Sequence, residues 1–170
     1  GYDRFASSPI KVADGIIYHA ATKDELAKVV HDFGVAARKC KLAGCDGVQI
    51  HAAHGFLLTT FLSPHFNKRA DEYGGPIENR SRLLFEIYDS VRNAVGVDYP
   101  IALKLSFSDL VSDSSTPEEM LWVCKELEKK GIDFIEVSSG ISADNSGASC
   151  SPVLRNGDRE GKFLESALLV

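Results

Sequence analysis

The sequence predicts an α/β fold, and within that class a part of a (β/α)8 barrel. Stretches with helical periodicity alternate with short apolar runs typical of strands, as in proteins built on a parallel sheet. Each predicted strand carries polar side chains on one face, towards its C-terminal end. An open sheet covered by helices on both faces would prefer apolar residues there. A barrel, whose active site lies at the C-terminal ends of its strands, accommodates polar residues at these positions. A complete barrel needs about 250 residues, whereas this chain has 170. We therefore expect residues 1–170 to form a single, incomplete barrel segment.

Three helices are predicted from capping signals and apolar periodicity. The first begins after Thr22, where a Thr-x-x-Glu capping box opens an apolar stripe, and ends at Gly44. The second is expected over residues 78–95. The third follows a second capping box at Thr116, with proline at its first position, and ends at Gly131. The final residues, EGKFLESALLV, resemble the middle of a helix, and the first eleven are expected to be irregular.

Three strands are predicted between these helices, in the segments DGVQIH, YPIALKLSF and IDFIEVSSG. Alternate residues of a strand face opposite sides, so the apolar residues of each segment form one face and the polar residues the other. We expect the apolar face to meet the helices and the polar face to line the barrel interior. The residues predicted to face inward are Gln49, His51, Ala102, Lys104, Ser106, Glu136 and Ser138.

Composition excludes several classes of protein. The net charge is −5 and no cluster of basic and aromatic residues is present, so a nucleic-acid partner is not expected. No apolar run reaches the roughly 18 residues of a membrane span, and the chain does not open with a signal-peptide pattern, so we expect a cytoplasmic protein with no membrane association. The scattered cysteines are expected to be buried free thiols without a zinc site: Cys40, Cys45, Cys124 and Cys150.

His51 and His54, at the end of the first predicted strand, allow three interpretations. They can be structural, with one ring hydrogen-bonded in the interior and the other on the surface. They can bind a metal ion with His65 as a third ligand, although no carboxylate or cysteine lies at ligand spacing. They can also act as two neutral imidazoles that donate hydrogen bonds to one substrate oxygen and stabilise the negative charge developing on it.

Lys104 and the loop after the first predicted strand are the other unusual features. A lysine flanked by leucines in IALKLSF is costly to bury without a partner. It can form an ion pair with Glu136 or extend its ammonium to solvent, or it can supply a fixed positive charge to a bound anion or electron-rich ring. The loop SPHFNKRADEYGGPIENR, residues 63–80, is expected to form a rigid, internally bonded cap over the barrel mouth.

These segments carry a resemblance to a known family. The run DGVQIHAAHGFLLTTFLSPHFNKRADEYGGPIENRSRLLFEI closely resembles the signature of the old yellow enzyme family, the FMN-dependent NADH:flavin oxidoreductases and NADH oxidases. LAGCDGVQIHAAHG is similar to the fourth strand of that family's barrel and IALKLS to its fifth. IDFIEVSSG with REGKFLESA is similar to the sixth strand and the segment after it. The resemblance implies the centre of a (β/α)8 TIM barrel, about strands 4 to 6 with their flanking helices.

The resemblance also implies a function. FMN would take a hydride from NADH or NADPH and pass it to an electron-poor small-molecule acceptor such as an enone, a quinone or another flavin. His51 and His54 match the family's catalytic pair, which binds the acceptor's carbonyl. Lys104 matches the basic residue beside the flavin's pyrimidine edge. Phe56, at the substrate site, stands where the family commonly has a proton-donating tyrosine, which favours acceptors that need no proton from this position, namely quinones, flavins or oxygen.

Two other functions stay open from the sequence. The chain can be a non-catalytic, truncated piece of such an enzyme, or, less favoured, a metal-dependent barrel hydrolase using His51, His54 and His65. No bound metal is expected under the favoured interpretation. Exposed strand edges at both ends of the predicted sheet would promote association, so a homo-oligomer is compatible with the sequence.

Overall fold

The described part of the chain consists of short strands and helices in two sheets. A computed structural model describes residues 4–11, 15, 17–141 and 164–170. The strands are β1 (Phe5–Ala6), β2 (Ile10–Lys11), β3 (Ile17–Ala20), β4 (Val48–Ala52), β5 (Ile101–Ser106) and β6 (Phe134–Ser138). The helices are α1 (Lys23–Leu42), α2 (Leu57–Leu62), α3 (Ile77–Arg80), α4 (Arg82–Val95), α5 (Pro117–Lys130) and α6 (Leu164–Ala167).

The central feature is a parallel sheet with the strand order β4-β5-β6. Both strand pairs are parallel, and α4 and α5 provide the connections that parallel neighbours require. The predicted strands, their order and their parallel arrangement are therefore confirmed. The register aligns His51 with Lys104 and Lys104 with Glu136, so these three residues form one row across the sheet.

The two faces of this sheet differ as predicted. Ile50, Leu103 and Leu105 are buried on one face, whereas Gln49 and His51 are exposed on the other. The apolar face packs into a core formed with the helices, where each fully buried large apolar side chain stabilises the fold by about 1.5–3 kcal/mol. The largest fully buried core residues are Tyr88, Phe61, Leu26, Leu58, Leu83, Leu84, Ile87, Ile101, Leu103, Leu105, Met120 and Leu127.

Local signals set the helix boundaries. Thr22 caps α1, and its side chain accepts a hydrogen bond from the backbone N–H of Glu25 while Glu25 bonds back to the cap. Thr116 caps α5 in the same way with Glu119. Each such cap is worth about 1 kcal/mol. Gly131 ends α5 in the left-handed conformation, with φ 84°. The first and third predicted helices are thus confirmed.

The second predicted helix is divided, which corrects the expectation of one helix over residues 78–95. α3 ends at Arg80 and α4 begins at Arg82. Between them, Ser81 has ψ −8°, and its hydroxyl donates to the backbone oxygen of Ile77 at 2.7 Å. A serine that bonds its own preceding turn competes with the helical hydrogen-bond pattern and bends the helix there.

Several short elements were not predicted, and two of them, β1 and β2, contradict the irregular lead-in expected over the first eleven residues. The lead-in contains β1 and β2, which pair with β3 in a small mixed sheet of order β1-β3-β2. Strands of two residues are too short to show an alternating pattern. In the loop after β4, α2 is buried over Leu58–Leu62, so it lacks the polar face that would have revealed a helix.

Residues 63–80 are internally bonded as the sequence predicts, whereas their position over the barrel mouth stays a prediction. The Asn67 amide donates to the backbone oxygens of Phe61 and Tyr73 at 2.7 and 2.8 Å. Buried Arg80 donates to the backbone oxygens of Leu62 and Gly75 and forms an ion pair with Glu119. This arginine therefore links the loop after β4 to the start of α5.

The described cysteines are free, but they are not all buried. Cys124 is buried, and burial raises the pKa of its thiol to about 11. Cys40 is half-buried and Cys45 is exposed, so the prediction of burial is wrong for Cys45. Cys150 lies outside the described residues, as does most of the segment after the sixth strand. Of the helices in the described ranges, none combines the length and apolarity needed to cross a bilayer.

Replacing Arg80 should destabilise the fold strongly. Arg80→Met removes one of the two side-chain donors to the backbone oxygen of Leu62, the donor to the backbone oxygen of Gly75 and the cation paired with Glu119. We expect the free energy of unfolding to fall by about 3 kcal/mol, chiefly because a largely buried ion pair is broken. Arg82→Met is the matched control, because Arg82 is exposed and donates to the backbone oxygen of Glu72, and its loss should cost less than about 1 kcal/mol. Urea denaturation measures both, and equal losses would contradict this role of Arg80.

Candidate functional site

The polar face of the parallel sheet carries a connected row of side chains. The Lys104 ammonium contacts the Glu136 carboxylate at 2.5 Å, and the Gln49 amide donates to the other oxygen of Glu136 at 2.9 Å. The ion pair considered from the sequence is therefore present. Lys104 lies on the same face of the sheet as His51 and is directly opposite it on the neighbouring strand.

His54 is brought back towards His51 by an unusual backbone conformation. Its φ is 65°, in the left-handed region that residues other than glycine rarely adopt. Its backbone N–H donates to the Ser106 hydroxyl at 3.0 Å, and it forms a parallel bridge with Ile141. The two imidazole centroids are 5.3 Å apart as a result. The two rings are therefore close together, whereas their donation to one substrate oxygen stays a prediction.

The His54 ring also has a partner on β6. Its Nε2 atom lies 2.7 Å from the hydroxyl oxygen of Ser138, which is buried at the end of that strand. Sequence reasoning placed Ser106 and Ser138 on the inward face but did not identify them as partners of His54. The only sequence signal was the alternation of polar and apolar residues along each strand. This alternation predicts which residues face inward, but not which of them contact each other across strands.

The electrostatic surroundings keep both imidazoles neutral. Partial loss of solvent around the ring lowers the pKa of His51, and the nearby Lys104 ammonium lowers this pKa further, while Glu136 opposes the change. The pKa of His54 is lowered by the same two causes in the same order, with a smaller contribution from His51. An unperturbed histidine titrates near pH 6.5, so both rings are uncharged at neutral pH. Each neutral ring carries one N–H donor.

Phe56 lies beside this pair. Its ring centroid is 5.0 Å from that of His51, and the residue is 62% exposed at the start of α2. A cavity of about 320 Å³ adjoins His54 and Phe56 on the side of the small sheet. It is mostly apolar, and its other lining residues are Phe5, Ala6, Ile10, Lys11, Tyr18, Gly55, Leu57, Thr60 and Phe66.

In the described ranges, the structure offers no support for a metal site. His65 bonds Asp113 through its Nδ1 atom at 2.6 Å. Within the described ranges, no group of three or more His, Cys, Asp or Glu side chains is arranged to bind a metal ion. The interpretation with His51, His54 and His65 as ligands therefore has no geometric basis in that part of the chain.

The architecture and the site together define a class of protein. Parallel strands joined by helices, with two neutral imidazoles and a lysine at their C-terminal ends, are typical of the catalytic end of a (β/α) barrel. Comparison with protein families identifies the class more closely: the model of the NADH:flavin oxidoreductase / NADH oxidase family matches residues 5–152. The chain belongs to the NADH:flavin oxidoreductase / NADH oxidase family.

Individual relatives agree with this assignment. The chain is 43% identical over 119 residues to an NADPH dehydrogenase of Geobacillus thermodenitrificans, covering 70% of this chain and 34% of the relative. It is 40% identical over 120 residues to an NADH oxidase of Thermoanaerobacter brockii, covering 71% of this chain and 18% of the relative. The chain thus spans a minor part of the length of these relatives.

A solved structure supports the fold. The complex of 2-naphthoyl-CoA reductase with 2-naphthoyl-CoA matches with a TM-score of 0.86 and 30% identity, covering 96% of this chain and 24% of that one. The predicted fold class and the family resemblance are confirmed. FMN is the cofactor of this family, with NADH or NADPH as electron donor, as the resemblance implied. The roles of His51, His54, Phe56 and Lys104 stay predictions.

The charge of Lys104 should be measurable in the titration of both histidines. Lys104→Met removes a neighbouring positive charge that disfavours the imidazolium form, so the pKa values of His51 and His54 should both rise. Histidine ring signals followed by NMR across pH 4 to 8 (about the range in which histidine titrates) measure the change. Lys129→Met is the control, because Lys129 is exposed on α5 and paired with Glu126. Unchanged values in Lys104→Met would contradict the electrostatic coupling.

Proposed function

We propose that this chain carries the acceptor-binding part of an FMN-dependent oxidoreductase that passes a hydride from NADH or NADPH, by way of the flavin, to an electron-poor small molecule. The observation that supports this most directly is the pair of neutral imidazoles, 5.3 Å apart, at the C-terminal ends of the parallel strands. Family membership supplies the cofactor chemistry to which such a pair would be applied.

The histidines would bind the acceptor through its oxygen. Two N–H donors that converge on one carbonyl or quinone oxygen favour the form in which negative charge has moved onto that oxygen, as happens when hydride is added. Donors that are already in place act more strongly than water, and loss of one such donor typically slows a reaction by about 10²–10³-fold. The backbone of His54, fixed by Ser106, keeps one of the two rings in position.

FMN, when bound, supplies the two-electron carrier between the nicotinamide and the acceptor. Lys104 fits the edge of such a ring system, because its ammonium has three N–H donors and the Glu136 carboxylate engages only one side of it. A cation at this place favours negative charge on the reduced flavin. The negative charge of Glu136 partly offsets the positive charge of Lys104. The Gln49 amide donates to Glu136 and so holds its carboxylate in position beside the ammonium.

The acceptor class follows from Phe56 and the cavity beside it. A phenyl ring cannot donate a proton, so acceptors that need no proton from this position are favoured, such as quinones and flavins. The mostly apolar cavity of about 320 Å³ suits a planar, conjugated ring. The ligand named with the structural relative, 2-naphthoyl-CoA, also joins a carbonyl to an aromatic ring.

The first test is cofactor binding. The protein purified with added FMN should retain flavin absorbance after gel filtration, and Lys104→Met should retain less flavin because a positive charge beside the ring is lost. Lys129→Met, on the exposed side of α5, should match the wild type. A colourless wild-type protein that takes up no FMN would show that the 170 residues do not carry out the reaction by themselves and hold only the histidine pair of a longer enzyme.

The second test addresses the histidine pair. His51→Ala should weaken the binding of a phenolic ligand to the FMN-loaded protein by about tenfold, the effect expected for one lost hydrogen bond to a polarised oxygen. His31→Ala is the matched control, because His31 is exposed on α1. Ligand titration followed in the flavin spectrum measures the affinity. Equal affinities of wild type and His51→Ala would remove His51 from the acceptor site.

A further inference from the structure

The hydroxyl of Ser138 is placed to control the protonation of the His54 ring. Ser138 ends β6, is only 5% exposed, and has its oxygen 2.7 Å from the Nε2 atom of His54. The strand end is itself fixed, because the backbone oxygen of Ser138 accepts a hydrogen bond from the backbone N–H of Phe107 at 2.8 Å. The contact therefore joins two groups whose backbones are both held in place.

The direction of this hydrogen bond follows from the needs of both groups. A buried hydroxyl has one hydrogen to donate, and leaving it without an acceptor costs about 1–3 kcal/mol. Among the described residues, the only acceptor within reach of the Ser138 hydroxyl is Nε2 of His54. If Nε2 instead carried the hydrogen and donated it to Ser138, the hydrogen of the hydroxyl would have no partner there. The arrangement that satisfies both groups has Ser138 donating to an unprotonated Nε2.

We propose that Ser138 is a positioning residue that holds His54 as the tautomer with its hydrogen on Nδ1, so that Nδ1 is the ring nitrogen that donates to the acceptor's oxygen. The second clause rests on the proposed function, whereas the tautomer itself does not. A neutral imidazole has one donor and one acceptor nitrogen. In the opposite tautomer, Nδ1 would present a lone pair to the acceptor's oxygen and repel it.

The contacts of His54 hold its ring in this orientation. The backbone N–H is bonded to Ser106, and the residue forms the bridge to Ile141. Turning the ring over would carry Nε2 away from Ser138 and leave the buried hydroxyl without its acceptor. Because the His54 pKa is lowered by burial and by Lys104, the ring stays neutral and one tautomer is selected at neutral pH.

The tautomer can be read directly by NMR on the 170-residue chain with ¹⁵N-labelled histidine. In the wild type at neutral pH, the Nδ1 signal of His54 should be that of a protonated nitrogen and the Nε2 signal that of an unprotonated one. Ser138→Ala should shift the population towards hydrogen on Nε2, and Ser138→Thr, which keeps the hydroxyl, should restore the wild-type signals. Ser139→Ala is the control, because Ser139 is also buried but has no hydrogen bond to His54.

Ligand affinity separates this inference from the proposed function. In the FMN-loaded protein, Ser138→Ala should weaken phenolic-ligand binding by about five- to tenfold, with Ser138→Thr and Ser139→Ala near the wild type. A wild-type ring with its hydrogen on Nε2 would overturn the inference, even if the ligand binds. A ring with its hydrogen on Nδ1 in a wild-type protein that takes up FMN but binds no such ligand would support the tautomer and refute the proposed acceptor site.

Discussion

The pairing of β5 with both of its neighbours is the constraint on which the rest of this structure depends. It places His51, Lys104 and Glu136 in one row, although they are separated by more than fifty and by about thirty positions in the sequence. The same register sets Ser106 opposite Ser138, which provides both of the hydroxyl contacts of His54. Charge, burial and tautomer at this site are therefore consequences of strand alignment. A shift of the register by one residue would send every one of these groups to the opposite face.

The loop after β4 extends this constraint to the helices. Arg80 connects the end of α2, the turn at Gly75 and the first turn of α5 through one guanidinium. Arg69 connects the loop to the N-terminal segment. It donates to the backbone oxygens of Ser7 and Ala21 and forms an ion pair with Asp71 in the loop. Both arginines donate to backbone oxygens at the ends of regular elements or in irregular segments, and so contribute the hydrogen bonds that such buried or partly buried groups require. The part of this loop between α2 and α3 can thus be ordered without regular secondary structure.

The sequence was sufficient for the elements with a local signature. Capping boxes at Thr22 and Thr116 predicted two helices, and alternation predicted which strand residues face inward. The sequence was insufficient where an element depends on contacts with distant residues. β1 and β2 form because they pair with β3. α2 is buried along nearly its whole length, so its sequence shows no polar face. The contact between His54 and Ser138 spans 84 positions, and no spacing rule connects them. The placement of the histidine pair was predictable, whereas the groups that orient it were not.

The left-handed backbone at His54 has a consequence for how this site can change over time. A residue other than glycine in that region costs on the order of 1–3 kcal/mol, and glycine or asparagine would occupy it more easily. Random substitution filtered only for a well-folded chain would therefore remove the imidazole. Under the proposed function, the strained backbone at position 54 would be kept for the sake of the imidazole that it carries.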